Sequence, residues 1–144
     1  CIRCGNCMHA CITGGLQPAF GESGWDGLFT PRLVPRIGEC DEYCRRCGYV
    51  CPTGALKPLS PEEKHNARIG LACVKKELFL GWSGHSLCLI CGEFCPYLAI
   101  DRYMKNGTIP CPVVKDDVCR GCGICEKQCP THAIRVKRRA TTIV

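Results

Sequence analysis

The sequence is short of the residues from which ordinary hydrophobic cores are built. Its 144 residues include only four Phe, four Tyr, two Trp and two Met. Such a chain cannot fill two separate cores unaided, and small domains of this kind need covalent or metal staples. A large single-core enzyme is excluded. No run of about 18 apolar residues occurs, so no membrane span lies within these residues. They carry no secretory or twin-arginine leader either. Nucleophile–base pairs and phosphate loops are missing too, so no small-molecule substrate site is expected. The first residue is Cys1 rather than Met, which is expected of a processed product or a fragment.

Cysteine is the exception to this poverty. There are 17, well above the roughly 8–10% that marks an unusual soluble chain. They fall into groups: Cys1, Cys4, Cys7, Cys11; Cys40, Cys44, Cys47, Cys51; Cys88, Cys91, Cys95; and Cys119, Cys122, Cys125, Cys129. The first and last read C-x2-C-x2-C-x3-C and the second C-x3-C-x2-C-x3-C. The third keeps only the last two spacings. Cys73 and Cys111 stand apart. The residues after each group repeat as well, in Cys51-Pro-Thr-Gly-Ala-Leu56, Cys95-Pro-Tyr-Leu-Ala-Ile100 and Cys129-Pro-Thr-His-Ala-Ile134. Cys11-Ile-Thr-Gly-Gly-Leu16 is the outlier. A short helical turn begun at the proline is expected to aim Leu56, Ile100 and Ile134 inward. Internal repetition of this kind is the strongest signal in the chain.

Three cysteines two residues apart wrap a loop around one face of a cube, and their thiolates reach three irons of a [4Fe–4S] cluster. The fourth, followed by Pro, points away to ligate a second cluster. A disulfide framework explains neither the repeated steps nor the odd count. Zinc sites use paired C-x2-C units, usually with longer spacers or His. A c-type haem needs C-x-x-C-H, which no group supplies. The C-x3-C-x2-C of Cys40, Cys44 and Cys47 has the spacing of radical S-adenosylmethionine enzymes. Those need a far longer β/α barrel, and here Cys51-Pro52 continues the ferredoxin pattern.

The chain resembles a polyferredoxin with four [4Fe–4S] clusters, and in particular the NapG/MauM-type ferredoxins and the related ferredoxin segments that follow membrane-bound polyferredoxin regions. The resemblance rests on Cys1-Ile-Arg-Cys-Gly-Asn-Cys, Gly15-Leu-Gln-Pro, Thr30-Pro-Arg-Leu-Val-Pro-Arg-Ile-Gly and Arg68-Ile-Gly-Leu-Ala. It implies electron transfer with redox partner proteins, a larger oxidoreductase or a quinone-linked membrane complex. It also implies a peripheral place at a membrane, with the periplasmic side favoured and the cytoplasmic side as the alternative. In those relatives a cysteine stands three residues before a Trp, where this chain has Phe79 before Trp82. The ligand count leaves that cluster irregular. Cys73 is the expected replacement and Cys111 the substitute, with a three-iron cluster or a non-cysteine ligand as alternatives.

The expected fold is α+β, small and loop-rich, with two bacterial-ferredoxin-like units of two clusters each. The second and third groups share an irregular form, and the first and fourth are regular. That favours a nested arrangement, which resembles the four-cluster subunits of molybdoenzymes. Residues 1–20 and 101–144 would make one unit, 40–100 the other, and 21–39 a connecting loop. The ligand sets would be Cys1, Cys4, Cys7 with Cys129; Cys119, Cys122, Cys125 with Cys11; Cys40, Cys44, Cys47 with Cys95; and Cys73, Cys88, Cys91 with Cys51. Sequential pairing of neighbours is the alternative. Ile100 to Val114 reads as a hairpin around Asn106-Gly107. Arg68 to Val74 and Ala133 to Val136 read as strands. Residues 17–39 read as an ordered loop and 58–66 as a solvated connection.

The bare chain carries +6, part of it in a basic tail at Arg135, Lys137, Arg138 and Arg139. Each cluster with its four thiolates contributes about −2, so four bring the total near −2. The excess base is largely internal compensation, and without aromatic interleaving or a known module no nucleic-acid partner is expected. The tail suits an acidic partner or lipid headgroups. None of His9, His65, His85 and His132 has metal-site spacing. His9 and His132 lie beside ligand cysteines, but surface exposure is their expected place. The function expected is a single-electron relay, not catalysis. The alternatives are catalysis or sensing at the irregular cluster, and a structural docking subunit.

Overall fold

A computed structural model describes residues 1–22, 24–83 and 87–138. His85 and Arg139 lie outside the described residues. The chain divides into two compact units, Cys1–Ala67 and a second that begins at Arg68. The nested division, 1–20 with 101–144 against 40–100, is therefore not the one the fold makes. The first two cysteine groups fall in one unit and the last two in the other. Likeness between motifs marks a shared local conformation, whereas partnership tracks chain proximity, because closing a shorter loop costs less entropy.

The first unit holds α1 (Asn6–His9), β1 (Leu16–Pro18), β2 (Pro31–Leu33), α2 (Arg46–Tyr49) and α3 (Pro61–Asn66). The stretch 17–39 is more than a loop. β1 pairs antiparallel with β2, with Leu16 opposite Leu33 and Pro18 opposite Pro31. The base of this ribbon is pinched. A Cβ on Gly15 would stand 2.0 Å from the Gly38 carbonyl oxygen, and one on Gly38 2.1 Å from that of Thr13. Only glycine permits such a backbone crossing. Thr13 Oγ1 closes it by donating to the Glu39 carbonyl at 2.5 Å. The crossing sets Thr13, two residues past Cys11, against Glu39, the residue before Cys40.

Residues 58–66 also differ from expectation, because they contain α3. Ser60 caps it, with its hydroxyl accepting from Glu63 N at 3.1 Å and Glu63 Oε2 accepting from Ser60 N at 2.7 Å. Pro61 opens the first turn. This reciprocal capping box satisfies two donors that a helix start leaves unpaired. Arg45 Nη1 donates to the Leu59 carbonyl at 3.0 Å and ties the segment to the start of α2.

The second unit holds β3 (Leu71–Val74), a 3-10 turn (Lys76–Leu78), α4 (Leu80–Ser83), α5 (Ile90–Glu93), β4 (Ile100–Lys105), β5 (Ile109–Val114), α6 (Ile124–Gln128) and β6 (Ile134–Lys137). The two expected strands pair with each other: β3 runs antiparallel to β6, with Val74 opposite Ile134. The hairpin is β4–β5, and Asn106 and Gly107 both have positive φ, at 53° and 74°. That is the signature of the type I′ turn. A packed core joins Ala72, Phe79, Cys91, Cys95, Ala99, Cys119, Cys125, Cys129, Ala133 and Ile134. Half of its members are cysteines, as a chain poor in aromatics requires. The buried Glu126 carboxylate is satisfied by Val136 N at 2.6 Å.

Candidate metal centres

Each group folds its cysteines by the same local rules. After the last cysteine the chain makes one tight turn, in which the third residue donates its N–H back to the cysteine carbonyl. Gly14, Gly54, Leu98 and His132 do so at 3.1, 3.4, 3.2 and 3.2 Å. All four have positive φ, at 66°, 64°, 52° and 56°. The proline thus starts a turn closed by a left-handed residue, not the expected helical turn. This turn aims backbone N–H groups at the ligand sulfur. Leu56 N donates to Cys51 Sγ at 3.5 Å, Ala99 N to Cys95 Sγ at 3.3 Å and Ala133 N to Cys129 Sγ at 3.3 Å. Of the apolar residues expected to face inward, Ile134 is fully buried and Ile100 packs against the core. Leu56 lines the first unit's cavity.

Threonine completes the device in three groups. The hydroxyls of Thr13, Thr53 and Thr131 lie 3.5, 3.7 and 3.7 Å from Cys11, Cys51 and Cys129 Sγ. Sequence reasoning misses these residues, although C-x-T recurs three times. The regular groups also share two left-handed positions. Arg3 and Gly5 have φ of 60° and 80°, and Gly121 and Gly123 have 73° and 93°.

In the first unit a cavity of about 230 Å³ is lined by Cys1, Cys4, Cys7 and Cys51. These are three cysteines of one group and the last of its neighbour. In the second unit Cys95, Cys119, Cys122 and Cys125 line a cavity in the same relation. The first has room for an iron–sulfur cube as it stands. The second is smaller. Among the described residues no three His, Cys, Asp or Glu side chains converge to hold a single metal ion. The sulfurs ring a cavity, an arrangement that suits ligands of separate irons. None of the 17 cysteines, all of them among the described residues, forms a disulfide.

The thiols of each unit also feel one another's charge. Burial raises the Cys7 thiol, and the charges of Cys4 and Cys51 raise it further. Burial raises Cys125 far above the usual thiol range, helped by Cys122, Cys119 and Cys95. Cys91 is pushed up to about 11 by burial, then by Cys129 and Cys88. Burial also raises Cys47, then Cys40 does, while Lys64 opposes them. Cys51 is lowered to about 7, chiefly by the Leu56 N–H. Cys11 is lowered by the Thr13 hydroxyl and backbone N–H groups, which outweigh its burial.

Two cysteines are left over. Cys73 on β3 alternates with Ala72 and is not packed against the core that holds Cys91 and Phe79. Cys111 on β5 is fully buried, yet outside that core. Phe79, 2% exposed, is inside it. His9, His65 and His132 are exposed, as expected. No described helix is long and apolar enough to cross a membrane.

Comparison with known proteins places these features in a family. The family model described as a 4Fe-4S dicluster domain matches residues 1–55, and one described as a 4Fe-4S binding domain matches residues 112–135. The methylamine utilization ferredoxin-type protein MauM of Methylophilus methylotrophus is 39% identical over 138 residues, covering 90% of this chain and 59% of that protein. The ferredoxin-type protein NapG of Escherichia coli K12 is 38% identical over 148 residues, covering 95% and 62%. The ferredoxin-type protein NapF of Haemophilus influenzae is 30% identical over 135 residues, covering 93% and 68%. The chain thus spans about three fifths of the length of the first two.

Proposed function

The chain belongs to the ferredoxin-type 4Fe–4S proteins, and from that premise we propose that it relays single electrons through four [4Fe–4S] clusters between redox partner proteins. It is an electron-transfer component, not itself an enzyme. The bound clusters supply reversible one-electron chemistry. The protein's part is to hold them, space them and set the polarity around their sulfurs. The observation that carries this reading is the cavity ringed by Cys1, Cys4, Cys7 and Cys51.

The ligand sets respect the sequential units. Cys1, Cys4 and Cys7 act with Cys51, and Cys40, Cys44 and Cys47 with Cys11. Cys119, Cys122 and Cys125 act with Cys95. The fourth set is Cys88, Cys91 and Cys129, supported by the effect of Cys129 on the Cys91 thiol. The remaining iron there is left to Cys73, to Cys111 as the substitute, or to a ligand other than cysteine. The partner is a larger oxidoreductase or quinone-linked membrane complex. The protein is peripheral to the membrane, on its periplasmic side, as the resemblance to NapG/MauM-type ferredoxins implies.

Reconstitution tests the relay. The loaded chain should hold about sixteen sulfides, take up electrons singly from a chemical reductant, and turn over no small substrate. Sulfide for only two clusters, or turnover without a partner, would overturn it.

A further inference from the structure

Ligand sulfurs in this protein take mostly neutral donors: backbone N–H groups at Cys51, Cys95, Cys119 and Cys129. Cys40 differs. Lys64 Nζ stands 2.9 Å from its Sγ and donates to it across 24 residues of sequence. A hydrogen bond between an ammonium and a thiolate is charge-assisted, roughly twice as strong as a neutral one.

The lysine is held there by its surroundings. α3 is short, with six residues, and such a helix is marginal alone. Its capping box fixes the first turn, and Arg45 fixes the approach through the Leu59 carbonyl. Gly48 allows the approach, since a Cβ there would stand 2.3 Å from the Lys57 carbonyl oxygen. Lys64 itself is half-buried, which lessens solvent screening of its charge. The segment 58–66 therefore delivers one cation to one ligand sulfur.

We propose that Lys64 is a positioning residue that raises the reduction potential of the cluster held by Cys40, Cys44, Cys47 and Cys11, and no other. This rests on the relay reading and its sequential ligand sets. On reduction one electron comes from the titrant. No bond to Cys40 forms or breaks, and Lys64 keeps its proton. The fixed positive charge stabilises the more negative reduced state, and the hydrogen bond draws electron density from the sulfur. Both act in one direction on a potential set by net charge, hydrogen bonds to sulfur and exposure.

The test is a redox titration of the loaded chain monitored by EPR, comparing Lys64→Met, Lys64→Gln and Lys64→Arg. Cys40→Ser identifies the responding signal. Both neutral variants should weaken reduction of that cluster about tenfold, a fall of 59 mV for one electron. Lys64→Arg should stay near the parent, and the other clusters should not move. Sulfide content and circular dichroism check that each variant is loaded and folded. Four loaded clusters with no shift in Lys64→Met would overturn the role of the lysine alone. An equal shift in Lys64→Arg would assign the effect to packing and overturn it too. A chain that cannot hold a cluster at Cys40 would overturn both this inference and the relay reading.

Discussion

The two units use one ligand grammar in opposite settings. In the first, Cys1 and Cys4 are exposed, and five of the remaining six cysteines are half-buried. In the second, Cys91, Cys95, Cys119, Cys125 and Cys129 are all buried inside one apolar core. The thiols respond accordingly: Cys51 falls to about 7 and Cys91 rises to about 11. Hydrogen bonding dominates where sulfur meets solvent, and desolvation where it does not. An added electron costs more among buried sulfurs, because a low-dielectric setting disfavours charge. If the relay reading holds, the first unit, which also carries Lys64 beside Cys40, should titrate at the higher potential.

Four experiments put this contrast at risk. The largest effect is expected at Ile134, fully buried in the second core. Ile134→Ala should cost about 2–5 kcal/mol in urea unfolding. Leu16→Ala, at a half-buried site of the first unit, should cost clearly less. Equal losses would show that the first unit hides a core of its own.

The next contrast uses one left-handed glycine from each unit. A Cβ on Gly121 would stand 2.3 Å from the Gly70 backbone, whereas one on Gly5 meets only His9 at 3.9 Å. Gly121→Ala should therefore lose about 2–4 kcal/mol, from strain plus overpacking. Gly5→Ala should lose about 1–2 kcal/mol from strain alone. Thermal melts of the two variants decide it.

Metal removal comes third. An iron chelator with mild oxidant should strip the loaded chain in two phases. The fast one should come from the first unit, which proteolysis and mass spectrometry can assign. Release in a single phase would mean that burial does not govern access. The smallest effect belongs to Phe79→Cys. It should add about one firmly held iron per chain and abolish any three-iron EPR signal that arises on oxidation. An unchanged iron count would show that the fourth set is already complete, and it would favour Cys73 or Cys111 as its last ligand. Substrate-dependent change at this set alone would favour the sensing alternative.

Much of the site is legible in the sequence. Ligand spacing in iron–sulfur motifs is local, so the four groups can be read directly. The hairpin is legible because Asn106-Gly107 nearly dictates its turn. The strands of the ribbon 17–39 are not, since three-residue strands carry no period. α3 escapes notice although Ser60-Pro61-Glu62-Glu63 spells a capping box, because a charged and proline-bearing stretch of that length also suits solvent. The likeness of the second and third groups misleads the division into units. It reflects similar entries to α2 and α5, whose preceding residues Arg45 and Leu89 have φ of −130° and −144°.

The chemistry is written in the chain itself: which residues bind iron and in what spacing, because each motif closes within about a dozen residues. The partnerships belong to the folded molecule alone. Gly15 crosses Gly38 and Thr13 closes on Glu39, and β3 pairing with β6 seals the buried unit. The same pairing leaves Cys73 off the core, and α3 puts Lys64 on Cys40. Those contacts join residues far apart in the chain, and nothing in a local pattern specifies which distant backbone will lie against it.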